Sequence, residues 1–167
     1  MVYDNAAIWD TTWSRYYGKY NRHHQEIWRA VEPSLNGQIV DLGCGPCVMY
    51  EGKQVSLVGV DWSEKGLAEA RIHYPCGVYI QADAANTGLP SGQFDTVVMY
   101  GLLDYFKNWD VIIGEAKRLL RPGGSICATL LQGFEGHDWT EETVTHLLGH
   151  KPKQYYRVTG NWIFIEV

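Results

Sequence analysis

Short apolar runs alternate with amphipathic stretches along most of this chain, a pattern that predicts a mostly parallel sheet covered by helices on both faces. Ile39 and Val40 lie in the first run, which Asp41 closes at its carboxyl end. Residues 55–60 form a second run ending at Asp61, and residues 77–80 a third that leads into Gln81, Ala82 and Asp83. Residues 94–100 and 125–131 read as the fourth and fifth strands. Ser63 suits the N-cap of a helix over residues 64–73, stopped before Pro75. Another helix is expected from about Trp109 to Leu120, ended by Arg121, Pro122, Gly123 and Gly124. The tail differs: Asp138 is expected to cap a helix through Leu148, with Glu141 three residues on as in a capping box. Residues 154–158 and 162–167 then flank Thr159, Gly160 and Asn161 as an antiparallel hairpin.

The first 36 residues have another character. Trp9, Trp13, Tyr16, Tyr17 and Tyr20 recur at spacings of three and four, which places them on one helix face. A second helical stretch carries Ile27, Trp28 and Val31 and ends at Pro33, with Asn36 and Gly37 beyond. Such a face either packs on a sheet edge or covers a ligand with its rings, and the two roles are compatible.

At 167 residues the chain forms one domain, with a core that needs neither disulfides nor metal. It carries 14 Lys and Arg against 19 Asp and Glu, a net charge of −5, without a basic cluster, so nucleic acid is disfavoured as a partner. No apolar run approaches a membrane span and the amino terminus does not read as a secretory signal, so a cytoplasmic address is expected. Four cysteines do not make a secreted disulfide framework.

Chemistry concentrates where the first strand meets the turn Leu42-Gly43-Cys44-Gly45-Pro46-Cys47. Glycines there let the backbone turn sharply and a ligand approach the main chain, as in a nucleotide-binding turn. The same residues contain Cys44-Gly45-Pro46-Cys47, which also reads as a thioredoxin-type redox pair. A redox turn needs a long helix behind it to lower the thiol pKa, and residues 48–54 are too few to supply one. For the same reason the first crossover helix must be reduced to a turn or two. Acids end three successive strands, at Asp41, Asp61 and Asp83. In an open α/β sheet ligands bind beyond the carboxyl ends of the strands, and an acid after the second strand suits ribose hydroxyls.

Together with Val58-Gly59-Val60-Asp61-Trp62-Ser63, Gln81-Ala82-Asp83, Leu89-Pro90, residues 94–98 and Leu119-Leu120-Arg121-Pro122-Gly123-Gly124, the turn forms an ordered series over residues 38–131. The chain thereby resembles the class I S-adenosylmethionine-dependent methyltransferases of the small Rossmann-like group. The resemblance implies an α/β fold with a seven-stranded, mostly parallel sheet in which only the last strand is antiparallel. With the aromatic face of the first 36 residues read as a cover, the single domain is expected to comprise a helical, aromatic lid (residues 1–36) and a Rossmann-like core (37–167). It implies S-adenosylmethionine as cofactor, with Asp41, Gly43, Cys44 and Gly45 near the methionine part and Asp61 on the ribose hydroxyls. Trp62 would flank the adenine, Asp83 and Ala84 would meet its amino group, and Tyr100 and Gly101 would line the methyl-donor side. Cys47 stands where the family has a third glycine. Arg15 or Tyr16 would complete the carboxylate site.

By the same resemblance the reaction is an in-line methyl transfer, and Asp104 and Tyr105 are the candidates for a base, because residues 103–106 fall where many relatives carry an active-site histidine pair. Asp104 serves equally well as a helix cap, and Tyr105 as packing. His23, His24 and His137 are weaker candidates. The Asn/Asp-Pro-Pro-Tyr signature of amino-methylating DNA enzymes is missing. The aromatic stretch at the start and the loop from Gln132 to Trp139 are the expected substrate-facing material, and the expected acceptor is a small or planar metabolite, with a peptide or protein second. The rival classes are a non-catalytic cofactor-binding or partner subunit, a thioredoxin-like redox protein and an NAD-dependent oxidoreductase.

Overall fold

Branched apolar residues on both faces bury β1 (Gln38–Leu42) and β4 (Phe94–Tyr100) at the centre of a seven-stranded sheet. The computed structural model describes residues 6–16 and 21–167, with side chains over 6–13 and from His24 onward. Strand order is β3-β2-β1-β4-β5-β7-β6, where β2 is Ser56–Asp61, β3 Val78–Gln81, β5 Leu120–Leu131, β6 Gln154–Thr159 and β7 Trp162–Glu166. The first five pair in parallel, and β7 runs antiparallel to both β5 and β6, as the family resemblance implies. Register places Val40 between Val58 and Val97, and Asp41 between Gly59 and Val98.

Helices cover both faces. On one, α4 (Trp109–Leu119) buries Trp109, Ile112, Ile113, Ala116 and Leu119, the spacing of one helical stripe, beside α5 (Glu141–Leu148). Asn108 caps α4 by accepting from the Asp110 amide at 2.9 Å. On the other face, α2 (Asn21–Val31) buries Ile27, Trp28 and Val31 with Met49 and Tyr50, and α3 (Glu64–His73) contributes Ala70 to the same cluster. The crossover after β1 is a single 3₁₀ turn, Val48–Tyr50, so the shortening expected from residues 48–54 is real. Among the described residues no helix is long and apolar enough to cross a membrane.

Two boundaries differ from expectation. Thr140, not Asp138, caps α5: its hydroxyl accepts from the Thr143 amide at 3.1 Å, while Asp138 accepts from Gln132 Nε2 at 2.5 Å and pins the loop before the helix. Helix α4 ends at Leu119 because Leu120 is already extended and pairs with Phe94, after which the register shifts and resumes at Thr96 opposite Ser125. The expected strand from Ser125 is the regularly paired part of β5.

Candidate functional site

Strand order reverses between β1 and β4, and a cavity of about 520 Å³ opens beyond the carboxyl ends of β1, β2 and β4, the usual ligand position in such a sheet. The glycine turn forms its floor. Gly43 and Cys44 both donate to Val60 O, at 2.8 and 3.0 Å, which ties the turn to β2. Gly43 has φ +70 and Gly45 φ +49, and a methyl group on Gly45 would lie 2.6 Å from the Trp13 ring. Both positions therefore require glycine. Cys47 adopts φ +55, the left-handed conformation that a glycine would take at this place.

Asp61 organises this floor. Its Oδ2 accepts from the Gly45 amide and its Oδ1 from the Ser63 amide, each at 2.8 Å, so one carboxylate holds the glycine turn against the start of α3. Burial pushes its carboxyl up and the backbone donors oppose that shift. Each carboxylate oxygen keeps a further lone pair for a ligand hydroxyl. Trp62 lines the cavity beside it, and its carbonyl accepts from Gln81 Nε2 at 3.0 Å. Asp83 closes a tight turn by accepting from the Ala85 amide at 2.8 Å, which presents Asp83, Ala84 and Ala85 to the cavity.

Helix α1 (Ala6–Tyr16) reaches this floor from the chain's beginning. Asp10 Oδ1 accepts from Ser63 Oγ at 2.5 Å and from the Lys65 amide at 3.3 Å, while Ser63 Oγ accepts from the Gly66 amide at 3.0 Å. Trp13 lies over Gly45 and Gly66, and Trp9 stacks near it at 6.3 Å. Trp9 and Trp13 both line the cavity. The side chains of Arg15, Tyr16 and His23, and all of Tyr17 and Tyr20, lie outside the described residues.

Beyond β4, Tyr100 and Gly101 form the opposite wall. The Tyr100 ring packs 5.1 Å from Trp162 and edge-on to His24 at 5.5 Å. Asp104 accepts from the Leu131 amide, at 3.1 and 3.2 Å to its two oxygens, and from Trp139 Nε1 at 2.8 Å. It thus joins the 3₁₀ turn Leu103–Tyr105 to β5 and to the loop before α5. Burial pushes its carboxyl up to about 6, against the pull of those donors. Tyr105 meets Trp9 edge-on at 4.8 Å and Phe134 at 5.0 Å, so three separate elements wall this end with rings. His137 stacks on Trp139 at 4.7 Å and does not line the cavity.

The thiols at Cys44 and Cys47 are free, and burial pushes both upward, the reverse of an activated redox thiol. Among the described residues no cluster of His, Cys, Asp or Glu is arranged to hold a metal. Two contributors were not singled out in the sequence, Asp10 and Tyr50, and Phe134 was foreseen only as part of the substrate-facing loop 132–139. Asp10 and Phe134 reach the site only through tertiary folding. Tyr50 had a weak local signal, an aromatic residue in a crossover too short for a helix.

The match to known families agrees with this geometry. The model of the methyltransferase domain family matches residues 40–128, which run from β1 into β5 and include the glycine turn, Asp61, Asp83 and Asp104. A ubiquinone biosynthesis O-methyltransferase from Azoarcus sp. (strain BH72) is 26% identical over 70% of this chain and 54% of its own length. A malonyl-[acyl-carrier protein] O-methyltransferase from Enterobacter lignolyticus (strain SCF1) is 32% identical over 66% of this chain and 48% of its own. The chain thus spans about half the length of these relatives. In fold it is similar to the protein of a DhpI–SAH complex, with a TM-score of 0.82 over 97% of this chain and 93% of that one, at 14% identity. The glycine turn, the acids that follow it and the sheet order therefore have one common explanation: the chain belongs to the methyltransferase domain family, the class I S-adenosylmethionine-dependent methyltransferases.

Proposed function

We propose that this chain transfers the methyl group of S-adenosylmethionine to a nucleophilic atom of a small, flat, largely apolar acceptor. The observation that carries the reading is the wall that Trp9, Tyr105 and Phe134 form in the same cavity whose floor Asp61 anchors. Flat rings present a large rigid surface to a planar ligand. The cavity's size also suits a cofactor with part of an acceptor.

When bound, the cofactor supplies a methyl group already activated on a sulfonium, so the chain's own task is chiefly positioning, a source of about 7–11 kcal/mol in well-oriented reactions. Asp61 accepts from the ribose hydroxyls while holding Gly45 and Ser63. Trp62 flanks the adenine, and Asp83 and Ala84 meet its amino group. Asp41, Gly43, Cys44 and Gly45 hold the methionine part, Tyr16 is the residue expected from the sequence to complete that site, and Tyr100 and Gly101 bound the donor side. Residues 1–36 act as a lid on a core of residues 37–167, latched through Asp10, and the rings of Trp9 and Trp13 exclude water. Asp104 and Tyr105 are the bases available to an acceptor that must lose a proton, and Asp104, at about 6, is largely ionised at neutral pH. The working address is the cytoplasm. The relatives named as O-methyltransferases favour oxygen as the acceptor atom.

The test is turnover of deuteromethyl S-adenosylmethionine with pooled small metabolites, read by mass spectrometry. A trideuteromethylated small aromatic product is the expected result. Label confined to peptides would move the acceptor to protein. Cofactor binding without any labelled product would instead favour a non-catalytic subunit.

A further inference from the structure

The turn that floors the cavity carries a pair of thiols for which the methyl-donor reading has no task. Cys44 and Cys47 are both free, and both line the cavity. The Cys47 amide donates to the Cys44 carbonyl at 3.1 Å, which closes a tight turn over Gly45 and Pro46. Such a turn brings its end Cα atoms within about 7 Å, which is about the reach of a disulfide. The side chains converge as well, since the two thiols are hydrogen-bond partners. Cys44 is half-buried and opens to the cavity, whereas Cys47, 2% exposed, lies behind it. Cys76 and Cys127 lie elsewhere, between α3 and β3 and within β5.

We propose that Cys44 and Cys47 are a site of oxidative modification, forming a reversible disulfide under hydrogen peroxide, and that this bond and the methyl donor oppose each other at the glycine turn. The coupling rests on the methyl-donor reading above. Cys44, the more accessible thiol, attacks a peroxide oxygen through its thiolate, becomes a sulfenic acid and releases one water. The Cys47 sulfur then attacks the sulfenic sulfur, forming the S–S bond and expelling the second water. The two thiols together give up two electrons and two protons, which reduce the peroxide. A dithiol reductant restores both thiols by exchange. Burial keeps both thiols protonated, so the first step is slow, and the pair is no exchange catalyst. The disulfide carries no charge, which suits a floor that already holds Asp41 and Asp61.

Closing the bond disturbs the turn. Cys44 Sγ rests against β2, where a methyl group on Gly59 would lie 2.7 Å from it. The Gly43 and Cys44 amides are tied to Val60 O and the Gly45 amide to Asp61. Drawing the sulfurs into a covalent bond shifts the backbone between these anchors, where the donor is held. Conversely, a donor seated against Cys44 shields it from peroxide. The coupling is reciprocal: if the disulfide weakens donor binding, the bound donor disfavours the disulfide to the same extent. In a reducing compartment such a bond is a transient switch rather than a staple.

The experiment treats the full chain with hydrogen peroxide, with and without S-adenosylhomocysteine, blocks the remaining thiols with iodoacetamide and maps tryptic peptides by mass spectrometry. Cleavage after Arg29 and Lys53 gives one peptide, residues 30–53, that holds Cys44 and Cys47 and no other cysteine. The expected product is that peptide unalkylated and lacking two hydrogens, formed more slowly when S-adenosylhomocysteine is bound and reversed by dithiothreitol. Calorimetry on the oxidised chain should find S-adenosylhomocysteine weakened about tenfold or more, with recovery after dithiothreitol. Alkylation of both cysteines after peroxide, or oxygen added to a cysteine without the disulfide, would overturn the proposal. So would a disulfide that leaves the affinity within about twofold. Failure of the reduced chain to bind S-adenosylhomocysteine would overturn the methyl-donor reading and the coupling, while the peptide map decides on the disulfide by itself.

Discussion

Replacing Asp61 by Asn separates the structural job of this carboxylate from the cofactor-binding job proposed for it. In the native site its oxygens accept from the Gly45 and Ser63 amides at 2.8 Å each. Asparagine offers one carbonyl oxygen and points an NH₂ group at the other amide, so one buried donor loses its partner. A hydrogen bond to a charged group is worth about 1.5–3 kcal/mol. For a chain of this length that corresponds to a fall in melting temperature of about 3–12 °C. On the proposed reading the ribose hydroxyls would also meet an uncharged group, weakening S-adenosylhomocysteine by a further ~1.5–3 kcal/mol, or about 10–150-fold. Thermal melts without ligand read the first effect, and calorimetry at a temperature where the variant is fully folded reads the second. Asp95→Asn is the control, since Asp95 pairs with Arg121 and accepts from the Gln38 amide at the far end of the sheet. It should leave binding unchanged. An Asp61→Asn chain that melts within about 1 °C of the wild type and binds within about twofold would refute the reasoning.

Two further substitutions probe the titrating acids. Asp41 is protonated in the native chain up to about pH 8 but ionises near 3.8 when unfolded. The unfolded state therefore binds fewer protons between those values, and this group's contribution to stability falls as pH rises from about 4 to 8. Tyr50, Asp61, Cys44 and Cys47 all face it, so the comparison must be made at one site: Asp41→Asn should flatten the decline in urea-unfolding free energy, and an unchanged slope would contradict the assignment. Asp104→Asn tests anchor against base. It removes one of two acceptors and should cost about 1–3 kcal/mol in denaturant unfolding through the freed Leu131 amide or Trp139 indole. If Asp104 also takes the acceptor's proton, wild-type turnover rises through pH 6 and the variant loses that rise; retention of the rise would leave it an anchor only.

The core of this fold was legible because β1, β2 and β4 announce themselves by apolar runs that end in acids or turns. Counting residues 48–54 was enough to foresee the reduced first helix, since nothing longer than the 3₁₀ turn fits there. Local signals failed where two residues competed for one role. Asp138 and Thr140 are both good caps, and the choice fell to Thr140 because Gln132, from the end of β5, captures the Asp138 carboxylate. The glycine turn and Asp61 could be read in sequence, but not that Asp61 spends both oxygens on holding the turn. The partnership of Asp10 with Ser63 joins residues 53 positions apart and leaves no local pattern. Phe134 likewise becomes part of the site only when the loop after β5 folds against Tyr105.

The most direct measurement is the melting temperature of the full chain without ligand, with S-adenosylhomocysteine and with NADH, each ligand at about 100 times a micromolar dissociation constant. Binding to the native state alone stabilises by about 2.7 kcal/mol at that ratio. S-adenosylhomocysteine should therefore raise the melting temperature by about 5–10 °C, and NADH should leave it unchanged. Stabilisation by NADH with none by S-adenosylhomocysteine would contradict the account at its centre.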